Sequence, residues 1–378
     1  MAVITGTVGN DSGPTALTGT TGNDSIHDGN GGNDMLSGLD GTDVLTTTGG
    51  VDTVDGGTGN DLLIVNWTDL TSAATTSWGP HANAGTGWYG NFHGADGRDV
   101  SYNQIERFRI LSGSGNDVLT TAPGGDSINS GAGDDVVNVG SGNDSANGGD
   151  GHDVISANLS AASAGSTWDL VANTYANAAG FGSFTNFEAF GTVTGTAFAD
   201  SFNSRLVLAN EVVNGAEGND TFSTRLGDDT CTAGADSDRL VIDWSDATQN
   251  SWTSWGPHAN SGGGWYGTYE NADGRSVTYD QVEHVTFLGG SGSDVIYTAD
   301  GDDVFAMGAG DDEAYASTGI NTIDGGDGTD RLAINYSGAA SRINLDLTRT
   351  GAQLLAGPGS VTGIEWVRDL VGTAYNDI

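Results

Sequence analysis

Asp117, Asp126, Asp135, Asp144 and Asp153 stand nine residues apart without a slip. The same beat runs through Asp34, Asp43, Asp52 and Asp61, with Asp24 ten residues ahead of them. It returns at Asp220, Asp229 and Asp238, and again at Asp294, Asp303, Asp312 and Asp330, where Asn321 fills the place between the last two. Two positions after these aspartates an apolar residue recurs, as in Leu36, Val54, Leu119, Ile155, Phe222, Ile296 and Leu332. Cys231, the single cysteine, occupies the same slot and is expected to be a small core residue. A flexible Gly/Asp-rich linker has no reason to hold an apolar residue in fixed phase, so the repeat is a structural one.

The unit is complete in Gly148-Gly149-Asp150-Gly151-His152-Asp153-Val154-Ile155. Its glycines permit positive φ and close backbone approach, making a tight turn with carbonyls directed inward. The residues after the aspartate favour a short strand. Two nine-residue units make one coil, and the turns of alternate units then stack about 4.8 Å apart on one edge. The expected fold is all-β, a parallel β-roll or β-solenoid with longer inserted coils.

Charge sets a second condition. The 378 residues carry a formal net charge of −39, with 50 acidic against 11 basic residues. Such an imbalance would ordinarily signal disorder, yet 36% of the residues are hydrophobic, including nine Trp, ten Tyr and eleven Phe. Something must neutralise the carboxylates in the folded state. A divalent cation between stacked turns could take a carboxylate from each plus backbone carbonyls, reaching the roughly six to eight oxygens that calcium prefers; magnesium suits such a cage less well. The same charge argues against nucleic acid and anionic membrane surfaces as partners. No apolar run is long enough to cross a bilayer, and Met1-Ala2-Val3-Ile4 has no basic leader region, so export is expected to use a route that reads no N-terminal signal.

The repeat resembles the RTX (haemolysin-type) calcium-binding family, and the arrangement is similar to the repeat arrays of large type I secreted bacterial surface proteins. The resemblance implies a secreted, extracellular protein that stays expanded at low calcium and folds when calcium binds outside the cell. The candidate calcium ligands are Asp24, Asp34, Asp43, Asp52, Asp61, Asp117, Asp126, Asp135, Asp144, Asp153, Asp220, Asp229, Asp238, Asp294, Asp303, Asp312 and Asp330. One ion per stacked pair of turns in the long runs gives roughly ten calcium ions, about half the charge compensation needed.

A larger period underlies the beat. Shifted by 177 residues, the chain overlays itself without insertion: Trp67 falls on Trp244, Pro80 on Pro257, His81 on His258, Asp117 on Asp294, Glu188 on Glu365 and Asp200 on Asp377. The organisation is therefore read as two module copies, residues 1–200 and 201–378. The second ends at Tyr375-Asn376-Asp377-Ile378 as another turn begins, as a cut in a longer protein would. Each copy inserts an aromatic segment (62–111 and 239–288) and a spacer (154–199 and 331–376), the latter containing Trp168-Asp169-Leu170 and Leu345-Asp346-Leu347. Patterns such as Leu63-Ile64-Val65-Asn66-Trp67 suggest that these segments continue the solenoid.

Within the aromatic segment, Trp78, His81, Trp88 and Tyr89, with their copies Trp255, His258, Trp265 and Tyr266, fit two roles. They cover the apolar interior, the plainer reading, or they form a face on which neutral polysaccharide stacks. Catalysis has little support. His27, His81, His93, His152, His258 and His284 make no His-x-x-x-His signature, and no Gly-x-Ser-x-Gly elbow is present. The reading is a non-enzymatic structural or interaction module of a surface protein (adhesin, S-layer-like array or toxin scaffold), with self-association a further possibility. Gly19-Thr20-Thr21-Gly22-Asn23-Asp24 hints at ice binding, but the turns vary too much for a flat Thr ladder.

Overall fold

A computed structural model describes residues 2–12, 16–83, 87–177, 182–204, 210–261, 263–337, 353–354 and 359–374. Leu345-Asp346-Leu347, Asp377 and the terminal Tyr375–Ile378 lie outside the described residues, as does the side chain of Trp78. The described chain is strand and turn throughout, with no helix, and hence no helix able to cross a membrane. It groups into two compact units, Met1–Ala162 with Asn173–Val193, and Ser163–Ala172 with Thr194–Ile378.

The eighteen-residue coil is explicit in the strand register. In the first unit Val118, Val136 and Val154 are successive parallel neighbours, and Ser127 pairs with Ser145 on the other edge. In the second, Val295 pairs with Glu313 and Glu313 with Arg331, while Val304 pairs with Thr322. Side chains alternate along each strand, so a fixed offset of one coil stacks like on like inside. One interior column of the first unit runs Leu119–Val137–Ile155, and one of the second runs Phe202–Phe222–Leu240. All six residues are at most 2% exposed, so they form true core rather than a lining of a channel. Cys231 sits in such a column between Val213 and Tyr279, 4% exposed.

The aromatic segments depart from the expected simple coil. Ala74–Ala82, Trp88–Gly94 and Asp99–Ile105 form an antiparallel three-stranded meander. Its last strand lies parallel to Val51–Asp55, and Thr75 of its first meets Val118. The coil therefore runs outward, turns back, and resumes its place in the stack. Ser251–Ala259, Trp265–Asn271 and Arg275–Val282 repeat the arrangement. A bidentate ion pair anchors each meander to its coil: Arg98 on Asp69 at 2.6 and 2.9 Å, and Arg275 on Asp246 at 2.7 and 3.3 Å. Trp67 and Trp244 are buried beneath, 1% and 0% exposed.

Candidate metal centres

Each turn presents its carbonyl oxygens to the turn one coil later. Gly149 has φ of 106° and Gly151 of 146°, a region in which side chains are strained. A β-carbon on either would also collide with the carbonyl oxygen of Gly131 or Gly133 in the coil beneath. Glycine is thus required twice over, by conformation and by the approach of an inward carbonyl.

The aspartates form a ladder. One carboxylate oxygen accepts the backbone amide of the aspartate one coil earlier: Asp117 to Asp135 Oδ1 at 2.8 Å, Asp126 to Asp144 at 2.9 Å, and Asp135 to Asp153 at 2.8 Å. Asp34 to Asp52, Asp43 to Asp61, Asp220 to Asp238, Asp294 to Asp312 and Asp312 to Asp330 repeat it at 2.7–3.0 Å. The aspartate carbonyl in turn accepts the amide following the next aspartate, as Val136 N–H donates to Asp117 O at 2.8 Å.

The second oxygen is left over. In Asp34, Asp43, Asp52, Asp61, Asp117, Asp126, Asp135, Asp153, Asp220, Asp238, Asp294, Asp303, Asp312 and Asp330, Oδ2 is buried without a hydrogen-bond partner. These are fourteen of the seventeen aspartates singled out by the repeat. Burying an ionised oxygen with nothing to hold it is costly. Accordingly, burial pushes Asp52, Asp144, Asp238 and Asp312 up to about 7 and Asp220 to about 8, with neighbouring carboxylates adding to the push. Of the remaining three, Asp24 Oδ2 accepts from the Thr20 hydroxyl at 2.8 Å and Asp229 Oδ2 from the Thr224 hydroxyl. Asp144 holds its ladder bond.

Among the described residues no three His, Cys, Asp or Glu side chains gather as a metal-binding group. An ion here must therefore draw most of its ligands from backbone carbonyls. The donor set fits: a β-carbon placed on Gly289 would lie 2.6 Å from Asp294 Oδ2 and against the Met307 carbonyl oxygen. The two oxygens thus flank one point. Hard oxygens of this kind, a carboxylate and a backbone carbonyl, suit calcium.

The ladder also includes residues outside the repeat reading. Asp11 and Asp200 donate their amides to Asp34 and Asp220 carboxylates at 2.6 and 2.8 Å. Glu211 donates to Asp229 at 3.1 Å, and its own carboxyl is buried and raised by burial and by the adjoining Asp229. Glu211 was legible in the beat itself, nine residues before Asp220 with Val213 two positions on. Asp200 was obscured because Gly195-Thr196-Ala197-Phe198-Ala199 replaces the glycine-rich approach.

The aromatic candidates separate by exposure. Trp255 is 53% exposed and meets His258 and Tyr266 at ring-centroid distances of 5.2 and 5.0 Å. Its cluster faces solvent and does not plug the interior. His81 and Tyr89 face each other at 5.5 Å in the first copy, and Trp88 is half-buried. Trp265 is tied to the coil by an indole N–H bond to Asp300 O at 3.2 Å. Close to the second cluster, a groove of about 350 Å³ is lined by Pro257, Tyr297 and Tyr315, whose tyrosine rings stack at 3.9 Å.

One Ser–His contact resembles a catalytic pair, but its protons run the wrong way. The Asp302 amide donates to His284 Nδ1 at 2.9 Å. Burial lowers the imidazole's pKa, so the neutral ring carries its proton on Nε2 and donates to Ser237 Oγ at 2.9 Å. His284 therefore cannot take a proton from Ser237 in this arrangement.

A family model of the RTX calcium-binding nonapeptide repeat, four copies long, matches residues 28–63, 111–146, 131–159, 208–240, 286–314 and 308–333. Comparison with curated proteins gives no match.

Proposed function

We propose that this RTX calcium-binding repeat chain is a non-enzymatic module of a secreted bacterial surface protein, whose solenoid folds when calcium binds after export. The observation that carries the reading is the set of fourteen buried Oδ2 atoms without partners, six of which (Asp43, Asp61, Asp153, Asp220, Asp294 and Asp330) meet a carbonyl oxygen of the following coil across a glycine. Without cations, a chain of net charge −39 must bury these carboxylates unpaired or protonated. With calcium, the oxygens so placed become ligands, and ion binding to the folded state alone drives folding by mass action. At the low calcium of a cytosol the same chain stays expanded. Its role outside is that of a rigid spacer or array element, as in adhesins, surface layers or toxin scaffolds. Small-angle scattering in chelator and in millimolar calcium tests this. The expected result is a marked fall in radius of gyration on adding calcium; an equally compact chain in chelator would contradict it.

A second reading rests on the exposed Trp255–His258–Tyr266 cluster. Together with the Pro257, Tyr297 and Tyr315 groove it offers ring faces and polar tips, the chemistry that binds neutral polysaccharide. Thr120 and Asn138 stand at the places of Tyr297 and Tyr315 in the first copy, so the groove belongs to the second copy's sequence alone. Glycan arrays probed with the chain and with Trp255→Ala distinguish the two readings. Only a sugar-binding face loses signal in the variant.

A further inference from the structure

Each long run of aspartate turns ends in a shorter turn that no nonapeptide pattern describes. Gln104, Asn186, Gln281 and Gly363 have positive φ of 52°, 56°, 58° and 64°. Each is followed by a buried apolar residue (Ile105, Phe187, Val282, Ile364) and then by a glutamate: Glu106, Glu188, Glu283 or Glu365. The glutamate does what the next aspartate would have done. The amides of Asp61, Asp153, Asp238 and Asp330 donate to the Oε2 atoms of Glu106, Glu188, Glu283 and Glu365 at 2.7, 2.9, 2.8 and 2.8 Å. The extra methylene reaches across the gap left by the shorter turn.

Resting on the calcium reading above, we propose that three of these compact turns close a further calcium site each, at Asp61/Glu106, Asp153/Glu188 and Asp330/Glu365. In all three the aspartate is buried and its Oδ2 unpaired, so the run's last carboxylate is aimed at something beyond the repeat. A β-carbon on Gly56, Gly148 or Gly325 would lie 2.9, 2.5 or 2.8 Å from that Oδ2. It would also collide with the carbonyl oxygen of Gln104, Asn186 or Gly363. The positive-φ residue therefore supplies the carbonyl that a glycine supplies elsewhere, and the glutamate supplies the second negative charge for a divalent ion. At the fourth junction, Asp238/Glu283, Ala233 takes the glycine's position, and its buried methyl group fills the cradle. That junction keeps the hydrogen bond and holds no ion.

Equilibrium dialysis of calcium against the whole chain tests this, using Glu106→Gln, Glu188→Gln, Glu365→Gln, their triple combination, and Glu283→Gln. Glutamine keeps an oxygen to accept the aspartate amide and removes only the charge. The triple variant is expected to bind three ions fewer than the parent at a calcium level that saturates the remaining sites, and each of the three single variants one fewer. Glu283→Gln is expected to match the parent. A triple variant that folds by circular dichroism and binds the parent's number of ions with the parent's affinity would overturn the proposal. If the triple variant does not fold in calcium, the single variants decide by the same count. Loss of an ion from Glu283→Gln would overturn the glycine cradle as the deciding element. A parent chain that binds no calcium would instead refute the calcium reading itself.

Discussion

The backbone amide of Asp312 donates to Oδ1 of Asp330, one coil further on, at 2.9 Å, while Oδ2 of both residues is buried and unpaired. The two oxygens of one carboxylate thus have different tasks. Oδ1 fixes the register of the stack within the protein, and Oδ2 is left without a hydrogen bond. On the calcium reading proposed above, the side chain that sets the register is also the metal ligand.

The division can be separated by substitution. Asn321 already shows that an amide serves the register, since its Oδ1 accepts the Asp303 amide at 3.0 Å. Asp312→Asn is therefore expected to fold in calcium with a weakened ion affinity. Asp312→Ala also strands the buried Asp294 amide, at a further cost of about 1–3 kcal/mol. Thermal unfolding at saturating calcium compares the pair; equal melting temperatures for both variants would contradict the register role.

On the calcium reading, protons and calcium share the same oxygens. Burial raises the carboxyls of Asp52, Asp144 and Asp312 to about 7 and of Asp220 to about 8, against about 3.9 in an unfolded chain. Between those values the folded, calcium-free chain binds more protons than the unfolded one, so its stability falls as pH rises from about 4 to 8. Protonation thus takes over part of the ion's task, and the calcium needed for folding is accordingly expected to fall as pH is lowered from 8 to 5. Calcium titrations at several pH values check this, and a midpoint independent of pH would count against buried carboxylate ligands.

How much of this was legible in the sequence varies by element. The eighteen-residue coil followed from the nine-residue beat, because two units with one apolar slot each must close before like stacks on like, as Leu119, Val137 and Ile155 do. The meanders were not legible. Trp88–Gly94 alternates as a solenoid strand would, and only its hydrogen-bond partners reveal an antiparallel return. The capping glutamates were visible under the 177-residue shift as matched residues, but their role depends on the positive φ of Gln104 and Asn186, for which those residue types give little warning.

Glycine positions in the stacked turns carry a steep penalty. Gly328 has φ of 151°, and a β-carbon there would collide with the Gly310 carbonyl oxygen. Gly328→Ala is expected to destabilise the calcium-loaded chain by at least about 1–3 kcal/mol, measurable by denaturant titration. Gly274, also at positive φ but with open space around it, isolates the conformational part of that cost.

The tryptophans divide into core and surface. Trp244 is fully buried against Phe287, with ring centroids 5.9 Å apart, and Trp244→Ala is expected to cost about 3–5 kcal/mol. Trp255→Ala, at a 53% exposed position, is expected to leave stability nearly unchanged. Melting temperatures of the two variants in calcium test the assignment.

Far-UV circular dichroism during a calcium titration, from chelator to several millimolar with magnesium as control, tests most directly whether ions hold the coils together. The expected result is a cooperative coil-to-β transition driven by calcium and not by magnesium. A chain already fully β-structured in chelator, with a melting temperature that does not respond to calcium, would contradict it.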